Sequence, residues 1–532
     1  MLSVSNSIPI SNYSQVVISD NSGAIFKPKT NSRVRINLPS SLGMIDFHSS
    51  YIQLDTRTLP NATQGTTNTY KTGWGNRQGV EQIVRDLIIR VDGRPLETIT
   101  NYNVLAKAKT DYAHDLTLNN LTSTFNQATL RPDNGAYSAT EWNTQTETFS
   151  YNNIATKSQM QLDLSGLLSM KTGFPIVATG NVEIEFILED AENCLVPLHS
   201  MKAQAVEGFT TDGTGAPTNG YLELTLDASA MGFTATDHPF AKGNVFELIG
   251  YDSTAPAVEI KRWGTVTGVP TNNGNKIRVT CAGTDGTVFP GSATFQNVTI
   301  KPVFNGVFGA DHETEPALLT NLQWNYQVQN VEFVCRSIQM PPPYLGALQK
   351  KIQGEGLVMD CPTYSMYLAN IQQNLIKQSL IVPCFSSRVK GVLSVPVESV
   401  QTPYGYDRQG KGLELREYQA RIGSRVEPQR PVDLTNWTTD VSHQYHSQEH
   451  IQELTKTLNA VGIGERSLTK WRDNFVIGRR LGALGGSEDL SDKGFRWEVQ
   501  HNTNSNTAKN VYNFVSMVKR LQIVPTGVNI FG

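Results

Sequence analysis

Wherever this 532-residue chain carries a legible apolar pattern over a long stretch, the period is two. The clearest case is "NVEIEFILED", where Val182, Ile184, Phe186 and Leu188 face one way and Glu183, Glu185 and Glu189 the other. Successive side chains of a strand point to opposite faces, so this run predicts a strand with one buried and one wet face. Its carboxylates then read as a solvated face rather than as an acid/base pair. "LIIRVDGRPLETI" sets Asp92-Gly93 between two strand-like runs, a hairpin signal, and the helical patch "NYNVLAKAKTDYA" follows. Period two governs the chain to about residue 200 and returns from 350 to 532, in "QSLIVPCF", "KGVLSVPVESV", "KGLELREYQARIG", "DNFVIGRRLG" and "VYNFVSMVKRLQIVP". Short strands separated by turn clusters predict sandwiches or barrels.

Between these halves the texture changes. Residues of about 205 to 318 open with "TTDGTGAPTNG" and close with "NGVFGADHETEP", both rich in breakers. The runs between them, with a tight turn at Asn273-Gly274, predict a small all-β module. "NLQWNYQVQNVEFVCRSIQMPPPYL" comes next. Trp324, Tyr326 and Val328 alternate in one phase, Val331, Phe333 and Cys335 in the other. The slip at Gln329-Asn330 predicts a β-bulge in one long strand. Pro341, Pro342, Pro343 and Tyr344 match a P-P-x-Y ligand of WW domains, but a stiff connector over 341–350 is the preferred reading. Residues 1–24 are polar and without periodicity, which predicts an arm, either mobile or docked on a neighbour.

A chain of this length is expected to hold two or more domains. Composition limits the function classes. Net charge is -3, without the basic excess of a nucleic-acid binder. Hydrophobic residues reach only 39% and charged residues 17%, and uncharged polar residues and glycine fill the gap, as suits a loop-rich β-protein. Cys194, Cys281, Cys335, Cys361 and Cys384 are odd in number and never form C-x-x-C, which argues against a disulfide framework and a zinc site and for synthesis in a reducing compartment. The first residues lack a signal-peptide pattern, and no run reaches the roughly eighteen apolar residues of a membrane helix.

One stretch invites a catalytic reading. "SHQYHSQEHIQEL" places His443, His446 and His450 at steps of three and four, one face of a helix predicted from an Asp440 N-cap to about Val461. That arc continues through Ile451, Leu454, Leu458 and Val461, so the histidines begin a packing face. A zincin needs His-Glu-x-x-His, and here Glu449 stands in the wrong place. Two fused cupins would need H-x-H, which the chain lacks. A packed or interfacial helix is preferred, with a pH-sensitive contact as a variant. "GRRLGALGGS", with Gly478, Gly482, Gly485 and Gly486, lacks the Lys-Ser or Lys-Thr of a P-loop, and Arg479 and Arg480 fit a strand end. Asp311, His312, Glu313 and Glu315 read as a solvated loop. Lys27, Lys29, Arg33 and Arg35 make the early chain mildly basic and able to face an anionic layer. No residue is assigned a catalytic, cofactor-binding or metal role.

"FPIVATGNVEIEFILED", "WNYQVQNVEFVCRSIQMPPPYL", and "NFVIGRRLG" followed by "NVYNFVSMVKRLQIVPTG" together resemble the double jelly-roll major capsid proteins of double-stranded DNA viruses, nearest the virophage, polinton-like and adintovirus branches. The resemblance is one of order and texture over most of 25–200 and 320–532. It implies an all-β fold of two consecutive jelly-roll sandwiches with a few short helices. The first roll would span 25–340, interrupted by the 205–318 module between its last two strands, and the second 351–532. It also implies a trimeric, pseudo-hexagonal capsomer that tiles an icosahedral shell, without catalysis or cofactor. Expected partners are a homotrimer, neighbouring capsomers, penton and minor capsid proteins, and a host receptor met through the module, with no sequence-specific nucleic acid. The expected location is the virion, after synthesis in the host cytoplasm and assembly there or in the nucleus. The arm and the tail "TGVNIFG" would tie neighbours or an inner layer. The rival readings are a viral attachment or lectin-like β-sandwich and a bicupin-like metalloenzyme.

Overall fold

The computed structural model describes residues 12–19, 24–59, 72–74, 79–113, 156–197, 325–399, 415–434, 447–464, 475–482, 486–501 and 508–532, and the backbone of six strands between 201 and 302. In chain order the strands are β1 Asn12–Ser19, β2 Arg33–Leu38, β3 Met44–Leu59, β4 Thr72–Trp74, β5 Val84–Val91, β6 Arg94–Ile99, β7 Thr156–Met160, β8 Val182–Leu188 and β9 Leu195–Pro197. Then come β10 Met201–Val206, β11 Leu222–Leu226, β12 Val245–Asp252, β13 Glu259–Gly268, β14 Lys276–Ala282, β15 Phe295–Pro302 and β16 Asn325–Gln339. The second half holds β17 Leu357–Ile371, β18 Lys377–Val382, β19 Val389–Glu398, β20 Leu415–Ile422, β21 Arg425–Asp433, β22 Ile477–Arg480, β23 Phe495–His501, β24 Lys509–Val524 and β25 Gly527–Phe531. Among the described residues the longer helices are α1 Tyr102–Ala113, α2 Pro342–Gly354 and α3 Gln448–Val461.

The strand order defines the architecture. The first half forms two four-stranded sheets, β1-β16-β3-β7 and β2-β8-β5-β6. The second forms β17-β24-β19-β22, with β25 added to β24, and β18-β23-β20-β21. Counting the eight main strands of each half, both read 1-8-3-6 facing 2-7-4-5. Two sheets joined by such long antiparallel crossings make a jelly roll, so the chain is a double jelly roll. Between the seventh and eighth strands of the first roll, β10-β11-β14-β13-β12-β15 close into a barrel. Strand direction alternates along the chain, so the barrel leaves from the end opposite the β5–β6 turn.

Local chemistry explains many of these elements. Asp92 (φ 52°) and Gly93 (φ 74°) are both left-handed, the tight hairpin turn that matches strand twist. Asn330 is also left-handed (φ 51°) where β16 shifts register against β3 between Gln329 and Glu332, the bulge that the phase slip predicts. Either side of it, Tyr326, Val328, Val331, Phe333 and Cys335 are all buried.

Several expectations are corrected. The prolines at 341–343 are not an extended connector: Pro341 caps α2 and Pro342 opens it. A first-turn proline loses no helical hydrogen bond and arrives with φ already set. Residues 12–19 are not a free arm, because β1 pairs along β16 from Asn12↔Gln339 to Ser19↔Glu332. The tail folds back on its own chain as β25 against β24. Strands β17, β21 and β23 lie outside the predicted runs, and β17 carries Pro362 and no clean alternation.

The wet face of β8 is also corrected. Glu185 is fully buried and Glu189 is 1% exposed. Arg33 and Arg35 of β2 and Arg90 of β5 flank β8 and close over Glu185, with Arg90 Nη1 2.6 Å from both Glu183 Oε1 and Glu185 Oε2. Cross-strand neighbours, invisible in β8 itself, supply the counter-charge. Glu189 accepts from Asn103 Nδ2 and Asn193 Nδ2, each at 2.8 Å. Arg33 and Arg35 are thus engaged within the chain, and Lys29 pairs with Glu192 at 2.9 Å.

Two cores result. One lies inside the second roll, around Trp497, Tyr418, Val515 and Phe475. The other fills the first roll and runs without a break onto Leu393, Val395 and Phe514 of the second. Residues Val392–Val397 of β19 and Val511–Val518 of β24 are consequently buried on both faces.

Candidate functional site

The feature that makes one body of two rolls is the seam between them. β6 of the first roll lies beside β17 of the second. At its centre Glu97 is fully buried. Its carboxylate accepts from Leu167 N (2.7 Å), Gly166 N (3.0 Å) and Ser165 Oγ (3.2 Å) of its own roll, and from Thr363 Oγ1 (3.1 Å) of the other. Burial raises its pKa, and these four donors oppose that rise. Lys519 Nζ of β24 donates to Leu96 O at 2.9 Å. Burial lowers the Lys519 pKa, against the attraction of Glu97.

Sterics reinforce these bonds. A Cβ on Gly166 would stand 2.0 Å from the carbonyl oxygen of Pro362, so only glycine lets the two backbones approach this closely. At one end of the seam Arg94, just past the β5–β6 turn, donates to Val528 O in β25. The turn end of the first roll and the closing end of the second therefore coincide, and the rolls share one polarity. The residues that build the seam were not singled out by sequence reasoning. "PLETI" and "DLSGLLS" read as an ordinary strand and loop, because a contact across 266 residues leaves no local pattern.

The histidine segment divides. His443 and His446 lie outside the described residues. His450 sits in the first turn of α3, which begins at Gln448 rather than near Asp440. Ser447 is its N-cap, its hydroxyl accepting from His450 N at 3.2 Å, and Gly462 (φ 84°) ends it. The His450 ring is buried, shares a 2.8 Å hydrogen bond with the Tyr418 hydroxyl through Nδ1 and stacks on Phe475. Burial lowers its pKa to about 3, so it is neutral. Leu454, Leu458 and Val461 continue the buried face. The structure thus gives His450 the packing role preferred above.

The glycine-rich run serves the same helix. A Cβ on Gly478 would come 2.8 Å from Thr457 Cγ2, and one on Gly391 3.1 Å from Val461 Cγ1, so both glycines let α3 lie close on β19 and β22. Arg479 is engaged by Glu453 and by Glu427, the latter at 2.8 Å. Trp324, residues 311–315, Gly485 and the Cys281 side chain lie outside the described residues. The other four cysteines are buried. Among the described residues no group of three His, Cys, Asp or Glu side chains is placed to hold a metal.

Large apolar side chains are exposed elsewhere, Phe385 (71%) and Ile381 (68%) on the second roll and Val17 (50%) on β1 among them.

No family model matches the chain, and no curated protein matches it. It is similar to several solved structures. With the Faustovirus major capsid protein it shares 10% identity over 97% of this chain and 91% of that one, at a TM-score of 0.49. With the Sputnik virophage structure it shares 10% over 98% and 88% (TM-score 0.42), and with the mavirus major capsid protein 11% over 100% and 92% (TM-score 0.39).

Proposed function

We propose that this chain is the major structural subunit of a viral shell, a major capsid protein that forms trimeric, pseudo-hexagonal capsomers. The observation that carries this reading is the repeated 1-8-3-6 and 2-7-4-5 strand order, twice in one chain with common polarity, welded at the Glu97 seam. A jelly roll ends its sheets in few open edges and so tolerates high local concentration. Two equivalent rolls held rigidly side by side give a block with repeated flanks, and three such blocks around an axis present six rolls. Contacts that are individually modest add up once such blocks close a lattice.

On this reading the protein performs no catalysis and takes no cofactor. Neighbouring capsomers, penton proteins and minor capsid proteins are its partners, and the virion is its location. The barrel leaves from the end opposite the seam's Arg94–Val528 contact, and with that end outward it would be placed to meet a host receptor. The alternative, an attachment or lectin-like protein, accounts for the barrel but not for the fused pair of like rolls. Light scattering on the purified full chain, followed by negative-stain imaging, tests the reading. A trimer with a hexagonal outline is expected. A monomer or dimer carrying stoichiometric metal would overturn it.

A further inference from the structure

The 162–168 segment that supplies donors to Glu97 is anchored at its other end by a second acidic cluster. Leu162 is fully buried and left-handed (φ 52°), a strained conformation for a bulky residue. Its N–H is accepted by the Glu81 carboxyl, on the single helical turn Gly79–Ile83. Its carbonyl accepts from Ser165 N at 3.1 Å. The strain is therefore held at the point where the segment begins. Asp163, the next residue, forms an ion pair with Lys109 of α1 through Oδ2. Its other oxygen, Oδ1, is buried, and among the described residues no donor reaches it. A buried acceptor left in this state is costly.

Two carboxyl groups thus share one lysine. Burial, and then repulsion from Asp163, raise the Glu81 pKa from 4.5 to about 7, and Lys109 offsets only part of this. A proton on Glu81 removes the repulsion and provides the donor that Asp163 Oδ1 lacks, while the second Glu81 oxygen still accepts from Leu162. Tyr102 of α1 and Tyr364 of β17 complete the surroundings of the pair. Burial and the neighbouring carboxyl groups push both phenols above their ordinary range, so they stay neutral.

We propose that Glu81 and Asp163 share one proton and act as a pH-operated latch on the seam: with the proton in place the 162–168 segment lies against the second roll, and its loss releases the segment. On release Leu162 leaves its left-handed conformation. Gly166 then withdraws from Pro362, and Ser165 and Leu167 from Glu97. The rolls lose their closest backbone contact while each keeps its own sheets. The block is rigid in mildly acidic surroundings and loosened above neutrality. The latch belongs to the single chain, so it stands or falls apart from the shell reading.

The closed segment holds the proton with a pKa of about 7 and the open one with the ordinary 4.5. Opening is therefore most suppressed below pH 4.5, grows easier as pH rises to 7, and levels off above. Hydrogen–deuterium exchange of the full chain tests this, read on peptides covering 162–169 and corrected for the intrinsic pH dependence of exchange. Protection is expected to fall roughly 40-fold from pH 5 to 7 and only about twofold more by pH 8. Peptides from β23, in the second roll's own core, are expected to show no such fall. Glu81→Gln, whose amide still accepts from Leu162 and donates to Asp163, should keep 162–169 protected through pH 8. Asp163→Asn removes the repulsion and should shrink the fall, which gives a second reading should Glu81→Gln fail to fold. Protection in the parent that stays constant from pH 5 to 8 overturns the latch. So does a fall that persists unchanged in both variants, or one of equal size in β23, which would mark global unfolding.

Discussion

His450 offers the most quantitative test of how this fold treats an ionisable side chain. In the folded protein its pKa is lowered to about 3 by burial, against an ordinary value of 6.5. Between those values the unfolded chain binds a proton that the folded chain excludes. Stability from this group is therefore complete above pH 6.5 and lost as pH falls toward 3. Each pKa unit corresponds to about 1.4 kcal/mol, so lowering the pH from 7 to 5 should remove about 2 kcal/mol through His450 alone. His450→Leu removes the titration. It also leaves the buried Tyr418 hydroxyl without its 2.8 Å partner, a pH-independent loss of about 1–3 kcal/mol. Denaturant unfolding of parent and variant at pH 7, 6 and 5 gives the stability gap at each pH. The expected result is a gap that shifts by about 2 kcal/mol in the variant's favour between pH 7 and pH 5. A gap constant to within about 0.5 kcal/mol would show that His450 titrates freely in the folded state, and the argument from burial would fail.

Two further outcomes follow from the seam and its surroundings. Gly166→Ala forces the 162–168 backbone away from Pro362, since the new Cβ would lie 2.0 Å from its carbonyl oxygen. A loss of about 3 kcal/mol is expected, with calorimetry resolving two transitions as the rolls uncouple, whereas a single unshifted transition would contradict the close approach. Glu81 is raised from 4.5 to about 7, first by burial and then by the charge of Asp163. The folded state holds a proton there that the unfolded state releases. Stability should thus fall by up to about 3 kcal/mol as pH rises from 4.5 to 7, opposite in sign to His450, and Glu81→Gln should flatten that part of the stability–pH curve.

The amino-acid pattern determined, by itself, most of what is local. Period-two runs marked β8, β19, β20 and β24 as strands, because successive strand side chains point to opposite faces, although only the fold shows that β19 and β24 are buried on both. Asp92-Gly93 marked its hairpin, because few residues accept two left-handed conformations in succession. The phase slip at Gln329-Asn330 marked the bulge, because an extra residue must exchange the two faces. The apolar arc after His450 marked the inner face of α3. None of these depends on a distant part of the chain.

Tertiary structure decided the rest, because the deciding partner is remote in sequence. Glu183 and Glu185 look like a wet strand face until Arg33, Arg35 and Arg90 arrive from two neighbouring strands. Prolines 342 and 343 suit an extended connector or a first helical turn equally, and only the packing of Leu348 and Ile352 selects the helix. β17 carries no clean alternation, because part of it faces its own roll and part faces the other. Glu97, Gly166 and Pro362 look ordinary in isolation. They matter because the chain brings two separately wired sandwiches within backbone contact, and burial there removes the water that would otherwise satisfy a carboxylate.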